Sequence, residues 1–407
     1  MSPRPVISGW AAVSPWGRTG RDFADGLSRG LGTATAPLPA DCAHLPVGEA
    51  CLVPDFNIAT VLGGKGTRSM DRATAMAVAA IDELLGGPNG RRLGGRSLDI
   101  GLALGTSTGC VQSTMNFTRD SLTSRRPYLV NPAQFPNTVM NCAAGQSAIW
   151  HRLKGPNATV AGGRVTGLLT LQYALRLLRA GRAQSLLCGA VEEFSPARAW
   201  LAWHTRPDEA TAPVLGEGAA VWLIGRPTSA RAGSAEIGRA GLTEVAGLEF
   251  GFAANAGEIR GVLADCLRRL LLAAATEPGQ ISVVAESGAP GADGESERAA
   301  LADVLGGAAP RILNCAAMIG DCYAASAAFQ VVAVLALADR GGLPPAWRAV
   351  VTSAEAGGAV GAALLRPAAP GHADDRSTAA ADHPSSDPTP CPGSNTVSYP
   401  LSYRGNG

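Results

Sequence analysis

Short apolar runs alternate with amphipathic segments along the first 366 residues. Several runs are apolar at every position, which is typical of strands buried on both faces of a sheet. The runs predicted as strands are PVISGWAAV, LDIGLALGT, QSLLCGAV, AAVWLIG, ISVVAES and GAVGAALLR. Predicted helices between them include MDRATAMAVAAIDELLGG and VTGLLTLQYALRLLRAG. In the second helix Leu168, Leu171, Leu175 and Leu178 share one face, and Gly181 is a plausible C-cap.

This alternation of strands and helices predicts a layered α/β fold. Two blocks share one plan: strand, loop, long apolar helix, strand, and a closing glycine-rich strand, LGEGAAVWLIG in the first and AEAGGAVGAALL in the second. We therefore expect an internal duplication with its junction near Pro227–Ala240. The predicted halves are residues 1–235 and 236–366.

The chain changes character at Pro367. Residues 367–407 are rich in Pro, Ser, Asp and Ala and poor in large apolar side chains. Such a composition buries too little apolar surface to offset the entropy of ordering, so we predict a disordered tail.

Composition narrows the classes of function. The formal net charge is +1, and Lys and Arg form no block, which argues against a nucleic-acid or anionic-membrane partner. The nine cysteines are scattered without CxxC pairs, as expected of reduced cytosolic thiols, not of disulfides or a metal site. The N-terminus lacks a continuous apolar signal region, and the longest apolar helix is shorter than the roughly 20 residues that span a bilayer. We expect a cytoplasmic protein.

Six segments in order resemble the β-ketoacyl synthases of the thiolase-like superfamily. They are VISGWAAVSPWG, SMDRATAMAVAAIDELL, NPAQFPNTVMNCAAGQSAIWHRLKGPN, the GPNATVAGGRVTG stretch, TRPDEATAPVLGEGAAVWLIG and TSAEAGGAVGAAL. The resemblance covers Pro5 to Arg366. It implies a thiolase-like fold in which two duplicated βαβ halves form an α-β-α-β-α layered sandwich.

The resemblance also implies where a catalytic apparatus would lie. Active members use a cysteine nucleophile, two histidines, a lysine and a phenylalanine in a GFGG turn. Here the cysteine position holds Arg164, and the first histidine position holds Glu286. Asp321, or Gly320 if the register shifts by one, takes the second histidine position, and Ala316 or a neighbour takes that of the lysine. Ala356 replaces the phenylalanine.

These replacements exclude the family's chemistry at this site. A guanidinium stays protonated and cannot attack a thioester, and a carboxylate at position 286 would repel a developing enolate. A buried arginine needs an acidic partner, so we expect Arg164 to pair with Glu286 or Asp321. The alternative is drift at an unused site.

The resemblance also implies that this chain acts as a noncatalytic partner of another subunit. Chain-length factors are ketosynthase paralogues that lack the catalytic set and shape the acyl tunnel of an active ketosynthase in type II polyketide synthases. They work on chains tethered by phosphopantetheine to an acyl carrier protein, without a cofactor of their own. By this resemblance the tunnel and interface candidates are Val111, Thr114, Phe117, Phe135 and Met140. The alternative is a stand-alone malonyl decarboxylase or acyltransferase that uses backbone oxyanion donors without a thiol.

Overall fold

The computed structural model describes residues 4–30, 32, 36–38, 45–86, 99–205, 213–226 and 242–369. The strands are β1 (Val6–Val13), β2 (Ala36–Pro37), β3 (Glu49–Ala50), β4 (Gly101–Gly105), β5 (Asn157–Val160), β6 (Ser185–Glu192), β7 (Gly218–Gly225), β8 (Thr243–Phe252), β9 (Val283–Glu286), β10 (Arg311–Asn314), β11 (Ala349–Ala354) and β12 (Ala359–Pro367). The α-helices are α1 (Gly20–Arg29), α2 (Ile58–Leu62), α3 (Arg72–Leu84), α4 (Val111–Thr123), α5 (Cys142–His151), α6 (Thr166–Arg179), α7 (Pro196–Thr205), α8 (Ile259–Ala273), α9 (Gly291–Leu305), α10 (Cys315–Ile319) and α11 (Ser326–Asp339).

Ten of these strands form one mixed sheet in the order β10-β9-β11-β12-β8-β1-β7-β6-β4-β5. The two halves have the same strand order on either side of the β8–β1 junction. Counted from the outer edge of the sheet towards this junction, the strands are the third, second, fourth, fifth and first sheet strands of that half in chain order. In both halves the three outermost strands are parallel to one another, and the next strand, β7 or β12, is antiparallel to them. The halves meet through two residue pairs of β1 and β8. This repeated topology is the predicted duplication.

The helices cover both faces of each half-sheet. Helices α6 and α11 lie in one central core with side chains from β6, β7, β9 and β11. Helix α3 packs on the other face of the first half-sheet, and α8 and α9 pack on the other face of the second. Because α11 lies between the two half-sheets, twelve of its residues are buried, from Ser326 to Leu337. The arrangement is the predicted α-β-α-β-α sandwich.

The periodicity predictions are confirmed where the structure describes them. All six predicted strands and both predicted helices are present. The four leucines on one face of α6 are buried, and Gly181 follows the helix in the left-handed region at φ 67°. The predicted junction and the boundary between residues 235 and 236 lie outside the described residues. Strand β12 includes Pro367, where the predicted tail begins, and residues 370–407 also lie outside them.

The part of the chain described here belongs to one compact unit, Met1–His372. Within that part, none of the helices has the length and apolarity needed to cross a bilayer.

Candidate functional site

The site lies where the two halves bring equivalent connections together. In the first half, β5 leads through a short 3₁₀ turn, Gly163–Val165, into the central helix α6. In the second half, β10 leads through α10 and the 3₁₀ turn Tyr323–Ala325 into the central helix α11. The two turns contact each other, and so do the first turn and the strands β11 and β12. Arg164 and Asp321 therefore face each other from the two halves.

Arg164 and Asp321 form a bidentate buried ion pair. Nη1 and Nη2 of Arg164 donate to Oδ1 and Oδ2 of Asp321 at 2.7 and 2.5 Å. The two residues are only 7% and 4% exposed. Burial opposes both charges, but the Asp321 carboxylate holds the pKa of Arg164 above its usual value, and Arg164 holds the pKa of Asp321 below its own. Both groups thus stay ionised, and the predicted pairing is confirmed with Asp321.

Glu355, in the turn between β11 and β12, closes the other side of Arg164. Its Oε2 accepts the backbone N–H of Arg164 at 2.7 Å, and its Oε1 accepts the hydroxyl of Tyr323 at 3.3 Å. Gly163 makes this approach possible, because it has φ 64° and a Cβ there would collide with the Glu355 carboxylate. The Arg164 guanidinium also lies over the Tyr323 ring, 5.5 Å from its centroid.

Tyr323 itself is held in an unusual conformation. Its φ is 41°, in the left-handed region that costs a non-glycine residue about 1–2 kcal/mol. Its backbone N–H donates to Oδ1 of Asp321 at 2.8 Å. Burial and the negative charge of Glu355 raise the pKa of Tyr323 to about 12, so the phenol keeps its proton near neutral pH. The ion pair and Glu355 thus fix the Tyr323 turn.

A second buried arginine, Arg198 of α7, ties the same loop to the first half. Its guanidinium donates to three backbone carbonyls: those of Glu193 at 2.8 Å, Gly216 at 2.6 Å and Asp321 at 2.8 Å. These bonds hold Asp321 from its main chain while Arg164 holds its side chain. We call Arg164, Arg198, Asp321, Tyr323 and Glu355 the ionic cluster.

The other replaced positions lie around the ionic cluster. Glu286 ends β9, is buried, and accepts a hydrogen bond from the side-chain amide of Asn314 at 2.9 Å, so of the two expected partners of Arg164 it is the one that does not pair with it. Ala356 is exposed beside Glu355. Ala316, at the expected lysine position, lines a cavity of about 310 Å³ whose wall also includes Cys51, Val214, Gly288, Asn314 and Asp321.

The tunnel and interface candidates lie together in another part of the surface. Val111, Thr114 and Phe117 are half-buried on α4, and the Thr114 hydroxyl lies 3.5 Å from the carbonyl oxygen of Thr138. Phe135 and Met140 are 58% and 40% exposed, and the rings of Phe117 and Phe135 lie 5.8 Å apart. Their role at an interface stays a prediction.

One group of side chains has the composition of a metal site. Ligand atoms of Asp71, Cys110 and Glu193 lie within 4.8 Å of one another. However, the Cys110 thiol donates to Glu193 at 3.1 Å, and burial raises the pKa of Cys110, which disfavours the thiolate that a metal would bind. Burial also raises the pKa of Glu193 to about 7. The group is consistent with an internal hydrogen-bond cluster at the start of α4.

The described histidines and cysteines lie outside the ionic cluster or are inert. His151 is buried between Asp82 and the Ser147 carbonyl, and His204 stacks on Trp200. Burial raises the pKa of Cys315 to about 12 and that of Cys322 well above its usual value, so neither is a ready nucleophile. His44, His372, His383, Cys42 and Cys391 are not among the described residues.

Three members of the ionic cluster were not predicted: Arg198, Tyr323 and Glu355. Glu355 had a signal, since it is an acid between two alanines in a turn where the family has only glycine and phenylalanine. Arg198 and Tyr323 had none, because their contacts come from segments that are separated in the chain, by 123 residues for Arg198 and Asp321 and by 32 residues for Tyr323 and Glu355.

Comparison with known proteins agrees with this geometry. The model of the β-ketoacyl synthase N-terminal domain matches residues 4–230. A 3-oxoacyl-[acyl-carrier-protein] synthase 2 of Vibrio harveyi is 26% identical over 58% of this chain, and the chain spans 60% of that enzyme's length. A putative polyketide β-ketoacyl synthase 2 of Streptomyces coelicolor is 29% identical over 84% of this chain and 85% of its own.

Among solved structures, the ishigamide ketosynthase/chain length factor is similar to this chain throughout. It superposes with a TM-score of 0.78 and 36% identity, over 89% of this chain and 99% of the other. The matched domain model, the repeated sheet topology and the position of the 164–321 pair lead to one conclusion: the chain belongs to the β-ketoacyl synthase family.

Proposed function

We propose that this chain is a noncatalytic subunit, of the chain-length-factor kind, that pairs with an active ketosynthase and shapes its acyl tunnel. The observation that carries the proposal is the Arg164–Asp321 pair. By the family resemblance, position 164 would hold a nucleophile and position 321 a histidine. Here Arg164 and Asp321 bind each other instead, through two hydrogen bonds of 2.7 and 2.5 Å. Neither group is available for acyl transfer.

The relatives support the proposed setting. The neighbour at 36% identity is named as a ketosynthase/chain length factor, and the Vibrio harveyi relative is named for an acyl-carrier-protein substrate. We infer that this chain joins a ketosynthase heterodimer and that the growing chain, tethered through phosphopantetheine to an acyl carrier protein, enters through the partner. The setting would be a type II polyketide pathway, of the reducing or polyene kind, in the cytoplasm.

An exposed apolar surface supports a partner subunit. Seven large apolar side chains between residues 115 and 140 are exposed: Met115, Leu122, Tyr128, Leu129, Phe135, Val139 and Met140. We call them the apolar surface. Large exposed apolar side chains that gather in one segment are typical of an interaction site. Among the described strands β5 lies at one edge of the sheet and carries no charged residue, and such edges are open to pairing with another chain.

The alternative, a stand-alone decarboxylase or acyltransferase, needs a free backbone donor for an oxyanion. Arg164 stands at the nucleophile position, and its own backbone N–H, which would be such a donor, is already accepted by Glu355. This contact favours the noncatalytic reading.

The proposal is tested by reconstitution with an active ketosynthase from the same organism, one that keeps the cysteine and both histidines. We expect the two to co-purify as a one-to-one complex that elongates malonyl units on acyl carrier protein. The chain alone should form no acyl-enzyme and release no CO₂ from malonyl-acyl carrier protein. Decarboxylation by the chain alone would favour the alternative, and full elongation by the ketosynthase alone would contradict the proposal.

Restoring the thiol should not restore activity. In an Arg164→Cys variant the cysteine would lie beside Asp321 and Glu355, and the two histidine positions would still hold Glu286 and Asp321, which cannot replace the imidazoles that assist condensation. We expect no condensation product by mass spectrometry from this variant alone, as for the unmodified chain. Turnover by the variant would mean that the remaining groups suffice for catalysis.

A further inference from the structure

Glu355 occupies a place that suits an anion. Its carboxylate accepts the backbone N–H of Arg164, in the 3₁₀ turn that directly precedes α6, a helix of 14 residues. First-turn N–H groups of a helix have no partner within the helix and carry its positive end, so they bind anions. The Tyr323 hydroxyl and the Arg164 guanidinium add a second donor and a positive charge.

The contact is built in and is not a chance approach of a surface side chain. Glu355 is half-buried, and its own N–H and the N–H of Gly358 close the turn that carries it. Gly163 leaves the space, since any Cβ there would overlap the carboxylate. The next two residues of the turn, Ala356 and Gly357, are exposed, so solutes can approach Glu355 from solvent.

We propose that Glu355 is a resident anion that occupies the Arg164 N–H at the start of α6 and thereby keeps acyl thioesters and free carboxylates away from that N–H. An acyl carbonyl beside position 164 would need the same N–H to accept its developing negative charge. With Glu355 in place, the partner subunit is left as the loading site. The inference does not depend on pairing, because the isolated chain would show it as well.

Removing the resident anion should create a site for a small carboxylate from solution. We expect sodium acetate, up to about 0.2 M, to raise the Tm of Glu355→Ala in a saturable way by at least about 2 °C more than sodium chloride at equal ionic strength. The unmodified chain should show no such difference. Glu355→Gln should also show none, because its amide fills the space and can still accept the N–H.

Glu258→Ala is the matched control. Glu258 also accepts a backbone N–H, from Ala254 at 3.0 Å, but it is an exposed side chain at the end of the 3₁₀ turn Ala256–Glu258 that precedes α8. Its removal should not make the chain sensitive to acetate. If Glu355→Ala does not fold in chloride, its refolded yield in acetate against chloride replaces the Tm.

Three results would overturn the inference: an acetate effect on Glu355→Ala no larger than that on Glu258→Ala, an equal effect on Glu355→Gln, or an equal effect on the unmodified chain. None of these results bears on whether the chain pairs with a ketosynthase, so failure here and failure of the proposed function are distinguishable.

Discussion

The ionic cluster and the apolar surface differ in whether their side chains have partners within the chain. In the ionic cluster the charged groups of Arg164, Arg198 and Asp321 are buried and that of Glu355 is half-buried, and each has a partner within hydrogen-bonding distance. In the apolar surface large side chains such as Phe135 lie open to solvent with little to cover them. A pocket that satisfies its own groups has little affinity left for a ligand, whereas an uncovered apolar surface gains free energy when a partner covers it. The difference points to a function exercised at the surface.

The largest expected effect comes from breaking the buried pair. Asp321→Ala leaves the Arg164 charge without its bidentate partner and removes the acceptor for the Tyr323 N–H. We expect a loss of about 3–5 kcal/mol in the free energy of unfolding, measured with urea. Glu286→Gln is the control, since it keeps an oxygen for Asn314 and changes no partner of Arg164. Equal stability of the two variants would show that the ionic cluster does not hold the fold.

The second largest effect is expected from a charge placed in the apolar surface. Phe135→Asp should weaken association with the ketosynthase by at least about 30-fold, as for a central aromatic of an interface, with the stability of the isolated chain nearly unchanged. Calorimetric titration of the two purified subunits measures this. Phe252→Asp is the control, because Phe252 is also exposed, at 71%, but lies on β8, away from the apolar surface. A loss of affinity in both variants alike would mean a non-specific effect.

The smallest effect is a pH dependence in the ionic cluster. Tyr323→Phe loses the hydrogen bond to Glu355, which is worth about 1 kcal/mol. The pKa of Tyr323 rises from 10.0 to about 12 in the folded chain. Its contribution is therefore complete below pH 10 and is lost as the pH rises towards 12. The stability difference between Tyr323→Phe and the unmodified chain should shrink over that interval.

A matched substitution checks this pH dependence. Tyr173→Phe removes a phenol from the outer side of α6, away from Glu355, and should show no such change in urea unfolding followed across the same interval. A constant difference for Tyr323→Phe between pH 10 and 12 would contradict the raised pKa that burial and the charge of Glu355 give to Tyr323.

The two regions also differ in how far the sequence predicted them. The strands and α6 followed from periodicity, because a sheet covered on both faces needs continuous apolar runs and α6 needs a leucine face. Arg164 and Asp321 stood out because their residue types contradict the family's chemistry at those positions.

The rest of the ionic cluster could not be predicted, for a physical reason. A buried arginine requires a carboxylate, but the requirement does not say which one, so Glu286 and Asp321 stayed equal until the fold placed Glu286 beside Asn314. Tyr323 depends on a left-handed backbone conformation that nothing in its local sequence demands. The apolar surface was predicted in part, through Phe135 and Met140, but exposure is a property of the folded chain and not of residue type.

The measurement that tests the central claim most directly is the product length of the reconstituted complex carrying Val111→Phe. Val111 is half-buried at the start of α4, among the candidates for the tunnel wall. If this chain shapes the partner's tunnel, the larger side chain should fill the end of that tunnel, because an overfilled apolar site costs typically about 1–3 kcal/mol. Mass spectrometry should then show chains shorter by at least one extension unit at similar total turnover. Phe117→Trp tests a second candidate for the tunnel wall in the same way. If the intact complex makes products of unchanged length with both variants, the account is contradicted.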